Sequence, residues 1–155
     1  MEINKVLLEV ITLTHGEAVK NGVSVQTQLA EGLPRIQADR VQLQQVILNL
    51  IINAVEAMRA VGEGSRQLLI SSGKDASGGV LVLVQDSGPG LSPEGFDRLF
   101  DAFYTTKTGG MGMGLSICRS IVEQHGGRIW PSRKAGPGAT IQFTLPVEGP
   151  AHQAA

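Results

Sequence analysis

Two asparagines, Asn49 and Asn53, stand four residues apart on a segment of helical period. Their carboxamides therefore point the same way, about one turn apart. Amide oxygens are hard, neutral donors, suited to a Mg²⁺ ion that already carries phosphate oxygens. The pair reads equally as a solvated helix face, yet asparagine is a poor helix former and two on one stripe ask for a reason. Asp86 ends the apolar run VLVLVQ and opens Asp-Ser-Gly-Pro-Gly, residues 86–90. An acid at the end of a buried strand can accept a hydrogen bond from a ligand amino group, and Gly88 and Gly90 let a flat ring lie against the backbone. An ordinary Asp-Ser-Gly-Pro turn is the alternative.

Further on, FDAFYTTK (100–107) sets Phe100 and Phe103 three apart and follows them with Thr105, Thr106 and Lys107. The rings can anchor the base of a loop while the lysine offers its ammonium to phosphates; a satellite apolar cluster beside a solvated lysine fits as well. TTKTGGMGMGLS (105–116) then packs Gly109, Gly110, Gly112 and Gly114 around Met111 and Met113. A P-loop needs Gly-Lys-Ser/Thr after its glycines, but Lys107 precedes them and Leu115 follows. A Rossmann fingerprint needs a strand immediately before, and none is supplied. What fits is a loop running into the N-terminus of a helix, where free N–H groups favour an anion.

The elements that must hold these groups follow from periodicity. A helix is predicted over 3–21 from Val6, Leu7, Val10, Ile11, Leu13 and Val19, with Gly22 at its stop. VSVQTQL (23–29) alternates as a strand. Asp39 is a good N-cap for a helix over 40–60. In that helix Leu43, Ile47, Leu50, Ile51, Ala54 and Met58 share one face, and Gln42, Gln45, Asn49, Asn53 and Glu56 share the other. Strands are predicted at 66–75 and 79–88 around a turn at 75–79, and a short helix at PEGFDRLF. A helix over 115–125 carries Ile117, Cys118, Ile121 and Val122 and stops at Gly126-Gly127. RIWPS and ATIQFTLP close the chain as strands. The pattern is α+β, one mixed sheet with helices mainly on one face. Residues 1–147 form one domain, with 1–21 as its opening helix and link, and 148–155 form a flexible tail.

Composition sets the class. The chain has 155 residues, 42% apolar and 17% charged, and a net charge of −1. That describes a single globular domain with scattered basic residues, and offers no footprint for nucleic acid or an anionic membrane surface. One cysteine, Cys118, excludes an internal disulfide and suits a reducing compartment. No apolar run of about 20 residues marks a membrane span, and the N-terminus lacks a signal-peptide pattern. The expectation is a cytoplasmic domain, or the cytoplasmic part of a membrane-bound sensor.

Taken together, and in this order, the motifs resemble the catalytic ATP-binding domain of two-component sensor histidine kinases over roughly residues 20–146. QQVILNLIINAVEAM is similar to that family's N box, DSGPG to its G1 box, FDAFYTTK to its F box, GMGMGL to its G2 box and GPGAT (136–140) to the glycine-threonine box. The wording is nearest to the PAS-linked, nitrogen- or oxygen-sensor-like subgroup. The resemblance implies a Bergerat-type two-layer α/β sandwich, its mixed sheet covered on one face by about three helices. It implies ATP and Mg²⁺ as cofactors, with Asn53 as magnesium ligand, Asn49 on the phosphate side and Lys107 as a phosphate contact. Asp86 would hold the adenine amino group, helped by Thr140 through water, with Gly88 and Gly90 near the ring. Gly110, Gly112 and Gly114 would belong to a mobile lid, with Met111 and Met113 as its apolar contacts, poorly ordered without nucleotide. The implied nucleotide contacts also take in Glu56, Ala57, Leu91, Phe100, Thr105, Thr106 and Leu115.

The reaction this resemblance implies is transfer of the ATP γ-phosphoryl group to a histidine on a separate dimerisation domain, for relay to a response regulator receiver domain. His15, His125 and His152 lack the family's His-Glu-x-x-x-Pro setting, so the acceptor belongs to another segment and the three are structural or incidental. Where hydrolytic relatives carry a glutamate one turn before the magnesium asparagine, this chain has Asn49, an amide with no useful basicity. The cation that many members place after the second asparagine is replaced by Glu56 and Ala57, which leaves Lys107 or Arg59 for the phosphates. An anti-sigma-type serine kinase and a nucleotide-binding regulatory module without transfer activity are the alternatives. The isolated domain is expected to be a monomer and its parent a homodimer.

Overall fold

A computed structural model describes residues 1–59, 66–88, 114–132 and 138–147. Helix α1 spans Ile3–Lys20, strand β1 Val23–Leu29, helix α2 Arg40–Arg59, and strands β2 and β3 Arg66–Lys74 and Val80–Asp86. Helix α3 spans Gly114–Gln124, followed by strands β4 (Arg128–Pro131) and β5 (Thr140–Leu145). Among the described residues the strands form one five-stranded sheet in the order β1-β2-β3-β5-β4. β1 and β2 are parallel and the other pairs antiparallel. The architecture is the expected α+β one, among the described residues a mixed sheet with three helices.

Strand alternation makes one face of this sheet a core. Leu68, Ile70 and Ser72 of β2 lie opposite Asp86, Val84 and Val82 of β3, all buried. Val82 lies opposite Phe143 of β5, which has no exposed surface. α2 covers this face, touching β2 and β3, with α1 on one flank and α3 on the other. The six apolar residues expected on its inner face are all buried, and so are Val46 and Val55, because neighbours close on α2 from both sides. α2 is long and apolar enough by length and composition to cross a bilayer, and that apolar surface is spent on the core instead.

Local chemistry fixes the ends. Asp39 caps α2, its Oδ1 accepting the Gln42 amide at 2.9 Å. Gly22 takes φ 65 after α1, the left-handed conformation that ends a helix. The turn between β2 and β3 falls as expected, with the Asp75 amide donating to Gly79 O at 2.9 Å. Two expectations fail on α1. Leu13 and Val19 are 74% and 63% exposed, and the buried stripe runs through Thr14 and Ala18 instead. Thr14 is tolerated there because its hydroxyl donates to Val10 O at 2.9 Å within its own helix.

The helix expected at PEGFDRLF and the tail 148–155 lie outside the described residues. α3 ends where expected, at Gly126 with φ 81. There His125 joins two elements: the Asp39 amide donates to its Nε2 at 3.0 Å, while Nδ1 sits 2.8 Å from Ile121 O. Nδ1 therefore carries the proton and Nε2 accepts, which is the structural role expected of this histidine. His15 is exposed on α1.

Candidate functional site

The site is built along one edge of α2. Asp86 closes β3 on the helix-facing side and is buried. Its Oδ1 accepts the Gly88 amide at 2.8 Å and the Ala139 amide at 3.3 Å. Burial pushes the carboxyl above its ordinary range, and the two amides pull partly against that shift. A carboxylate held by two amides on one oxygen keeps its second oxygen for a ligand donor.

The turn after Asp86 is pressed onto α2. A Cβ at Gly88 would lie 3.3 Å from the carbonyl carbon and oxygen of Ala57 and 3.0 Å from Asp86 Oδ1, so only glycine fits without a shift. Ser87 bonds the Gln67 amide at 2.9 Å and reaches Met58 Sδ at 3.5 Å. One turn and two turns back along α2 from Ala57 come Asn53 and Asn49, both half-buried. At 1.5 Å per residue, the edge from Ala57 to Asn49 is about 12 Å long. Gly114, the first residue of α3, closes the far end. Its Cα faces both carboxamides, since a Cβ there would sit 3.9 Å from Asn49 Nδ2 and 3.9 Å from Asn53 Nδ2. Asn49 Nδ2 donates to Gly114 O at 3.4 Å.

Thus Asn49, Asn53, Ala57, Asp86, Gly88 and Gly114 are brought onto one edge, with Glu56 half-buried on α2 and Leu115 packed against the core. Gly90, Leu91, Phe100, Thr105, Thr106, Lys107, Gly110, Met111, Gly112 and Met113 lie outside the described residues. Thr140 departs from the expectation. It pairs with Gln85, so strand alternation turns it to the sheet face away from Asp86, and Ala139 is the residue that meets the carboxylate. Arg59 departs too. Its guanidinium bonds Glu17 at 3.0 Å and Asn21 at 2.7 Å, tying the end of α2 to the end of α1 rather than to phosphates.

The sequence reading missed one part of the site. Gly138 holds φ 86, and a Cβ there would fall 1.9 Å from Asp86 O. The glycine pair of GPGAT was the available signal, but nothing in it named Asp86 as the neighbour. Cys118 was expected in the core and is fully buried. Burial pushes its thiol up to about 12, so it is not a nucleophile.

The donor set fits a nucleotide carrying Mg²⁺. Among the described residues no three His, Cys, Asp or Glu side chains cluster to hold a metal unaided. The asparagine oxygens suit an ion that brings phosphate oxygens with it. The buried Asp86 carboxylate suits the amino edge of a base.

The family model described as histidine kinase-, DNA gyrase B- and HSP90-like ATPase matches residues 38–149. The chain is 38% identical over 148 residues to sensor histidine kinase TmoS of Ectopseudomonas mendocina, covering 95% of this chain and 15% of TmoS. It is 42% identical over 145 residues to sensor protein FixL of Bradyrhizobium diazoefficiens, covering 94% of this chain and 28% of FixL. It therefore spans well under a third of either relative. The nucleotide-free catalytic domain of histidine kinase ThkA superposes with a TM-score of 0.82 at 34% identity, covering 95% of this chain and 93% of that one. Full-length ShkA in complex with AMPPNP gives 0.81 at 30% identity, over 95% of this chain and 30% of that one. ThkA in complex with the response regulator protein TrrA gives 0.79 at 31%, over 96% of this chain and 41% of that one.

Proposed function

Because the chain belongs to the histidine kinase-, DNA gyrase B- and HSP90-like ATPase family, we propose that it is the catalytic domain of a sensor histidine kinase. In this reading it binds Mg·ATP and presents the γ-phosphoryl group to a histidine on a dimerisation domain elsewhere in the parent protein, which passes it to a response regulator in the cytoplasm. The observation that carries it is the edge of α2 that runs from Asp86 and Gly88 to Gly114 past two carboxamides.

Each residue has a task that its surroundings support. Asp86 accepts the adenine amino group on the oxygen that Gly88 and Ala139 leave free. Gly88 lets the turn that carries Asp86 press onto α2 at Ala57. Asn53 and Asn49 line the phosphate end, Asn53 as the magnesium ligand. Bound Mg²⁺ neutralises charge on the phosphate oxygens. Gly114 opens α3, whose first turn directs free N–H groups at the same end. Asn49 cannot act as a general base for water, which favours keeping ATP for transfer. Transfer of this kind depends on positioning and charge neutralisation rather than on a protein nucleophile. Lys107 and the glycines from Gly110 to Gly112 supply the lid and a phosphate cation in this reading. The complexes of ShkA with AMPPNP and of ThkA with TrrA support the nucleotide and the downstream partner.

Calorimetry with the ATP analogue AMPPNP tests the binding half. Wild type is expected to bind more tightly with Mg²⁺ than without, and Asn53→Ala to lose most of that difference. An Asn53→Ala chain with the full magnesium effect would remove Asn53 from the metal site.

A further inference from the structure

We propose that Ser87 is a positioning residue: its hydroxyl ends the β2–β3 ladder and pins the Asp86 turn to α2, which sets where the carboxylate meets a base. The consequence for the base rests on the nucleotide reading above; the tie itself does not.

β2 and β3 pair as far as Leu68 opposite Asp86, with Leu69 opposite Gln85 before it. The Asp86 amide points to the β5 side, donating to Ala139 O at 2.9 Å, so the main-chain groups of residues 85 and 87 face β2. Continued by one residue, the register sets Gln67 opposite Ser87, and the ladder would give the Gln67 amide the Ser87 carbonyl. The amide donates instead to the Ser87 hydroxyl, at 2.9 Å. A side chain therefore stands in for the main chain at this rung, and the backbone at 87–88 is released from the sheet. Side-chain direction shows the same break. In a continuing strand Ser87 would point, with exposed Gln85, to the face away from α2. Its hydroxyl instead lies 3.5 Å from Sδ of Met58, which is fully buried on α2.

The ties converge on one carboxylate. Asp86 Oδ1 accepts the Gly88 amide at 2.8 Å and the Ala139 amide at 3.3 Å. Gly88 presses on Ala57, the residue before Met58. Ser87 stands between the acid and the glycine, so its bond to Gln67 holds both in place. A ligand amino group gains from the second carboxylate oxygen where that oxygen is held still, because a hydrogen bond weakens steeply as its angle closes. Without the hydroxyl, the Gln67 amide is left to the Ser87 carbonyl, which draws the turn toward the sheet and off α2. Threonine at position 87 keeps the hydroxyl, and alanine removes it.

Two measurements on this chain test the idea. By hydrogen exchange of the nucleotide-free protein, the Gln67 and Gly88 backbone amides are expected to be protected in wild type and Ser87→Thr, and to exchange faster in Ser87→Ala. In calorimetry, wild type should prefer ADP to IDP, which carries an oxygen where adenine carries its amino group. Ser87→Ala is expected to weaken ADP about threefold to tenfold, the scale of one hydrogen bond, and to narrow that preference. The gain that Mg²⁺ brings to AMPPNP binding should keep its wild-type size, and Ser87→Thr should restore the preference. A preference for ADP that is unchanged in Ser87→Ala overturns the proposal. So does equal weakening of ADP and IDP with a lowered thermal midpoint, which would make Ser87 a ladder cap and nothing more. If wild type bound neither nucleotide while Gly88 protection still followed residue 87, the tie would stand and the nucleotide reading would fail.

Discussion

Gly138 and Asp86 are locked backbone to backbone: a Cβ on Gly138 would lie 1.9 Å from the carbonyl oxygen of Asp86. The same crossing carries the Asp86 amide to Ala139 O at 2.9 Å and the Ala139 amide to Asp86 Oδ1. Residue 138 also holds φ 86, which costs a side-chain-bearing residue on the order of 1–2 kcal/mol before any clash. Gly138→Ala is therefore expected to lose at least about 2 kcal/mol. For a domain of this size that lowers the thermal midpoint by roughly 4–8 °C. Nucleotide affinity should fall with it, because the carboxylate moves. A Gly138→Ala chain with wild-type melting and binding would show that the crossing is not held this tightly.

Asp86 separates stability from function. Its carboxyl is raised above the ordinary aspartate range by burial. A raised acid favours its protonated form in the folded state, so its contribution to stability is full at low pH and is lost as pH rises through the folded value. Asp86→Asn removes that titration and keeps an oxygen for the Gly88 and Ala139 amides. The variant is expected to melt at or above wild type near pH 7, with the advantage shrinking as pH falls. AMPPNP binding should weaken by about tenfold or more, the worth of a hydrogen bond to a charged acceptor. Calorimetry and melts across pH read both. An advantage that grew on acidification would contradict the raised carboxyl.

His125 offers a control away from the site. It joins the end of α3 to the N-cap residue of α2 through two ring nitrogens. His125→Ala should cost about 1 kcal/mol, or roughly 2–4 °C of melting midpoint, and leave AMPPNP affinity unchanged. Phosphorylation of His125 in the presence of Mg·ATP would contradict its structural role.

Much of this was legible because it is local. The caps at Asp39 and Gly22, the 75–79 turn and the buried stripe of α2 all follow from period and turn chemistry. The edge positions Asn49, Asn53 and Asp86 stood out because two amides on a helix and an acid ending an apolar strand are unusual there. What was not legible depends on register and packing. Whether Ala139 or Thr140 meets Asp86 turns on a one-residue register between β3 and β5, which flips every side chain. Arg59 stands beside Lys107 as a phosphate cation only by its place after Asn53, while its partners Glu17 and Asn21 come from another helix end. Leu13 and Val19 fit a loose apolar stripe, but the helix turns Thr14 and Ala18 inward, where small side chains fit.

The central claim is that this edge of α2 prepares ATP for transfer to a histidine. The most direct measurement incubates the chain with Mg²⁺, γ-labelled ATP and a histidine-bearing dimerisation fragment of its parent kinase, then tests the fragment for acid-labile phosphate. The expected result is label on the fragment histidine, absent when the chain carries Asp86→Asn or when Mg²⁺ is withheld. Measurable ATP binding with no label on the fragment would contradict the kinase reading and leave a nucleotide-binding module without transfer.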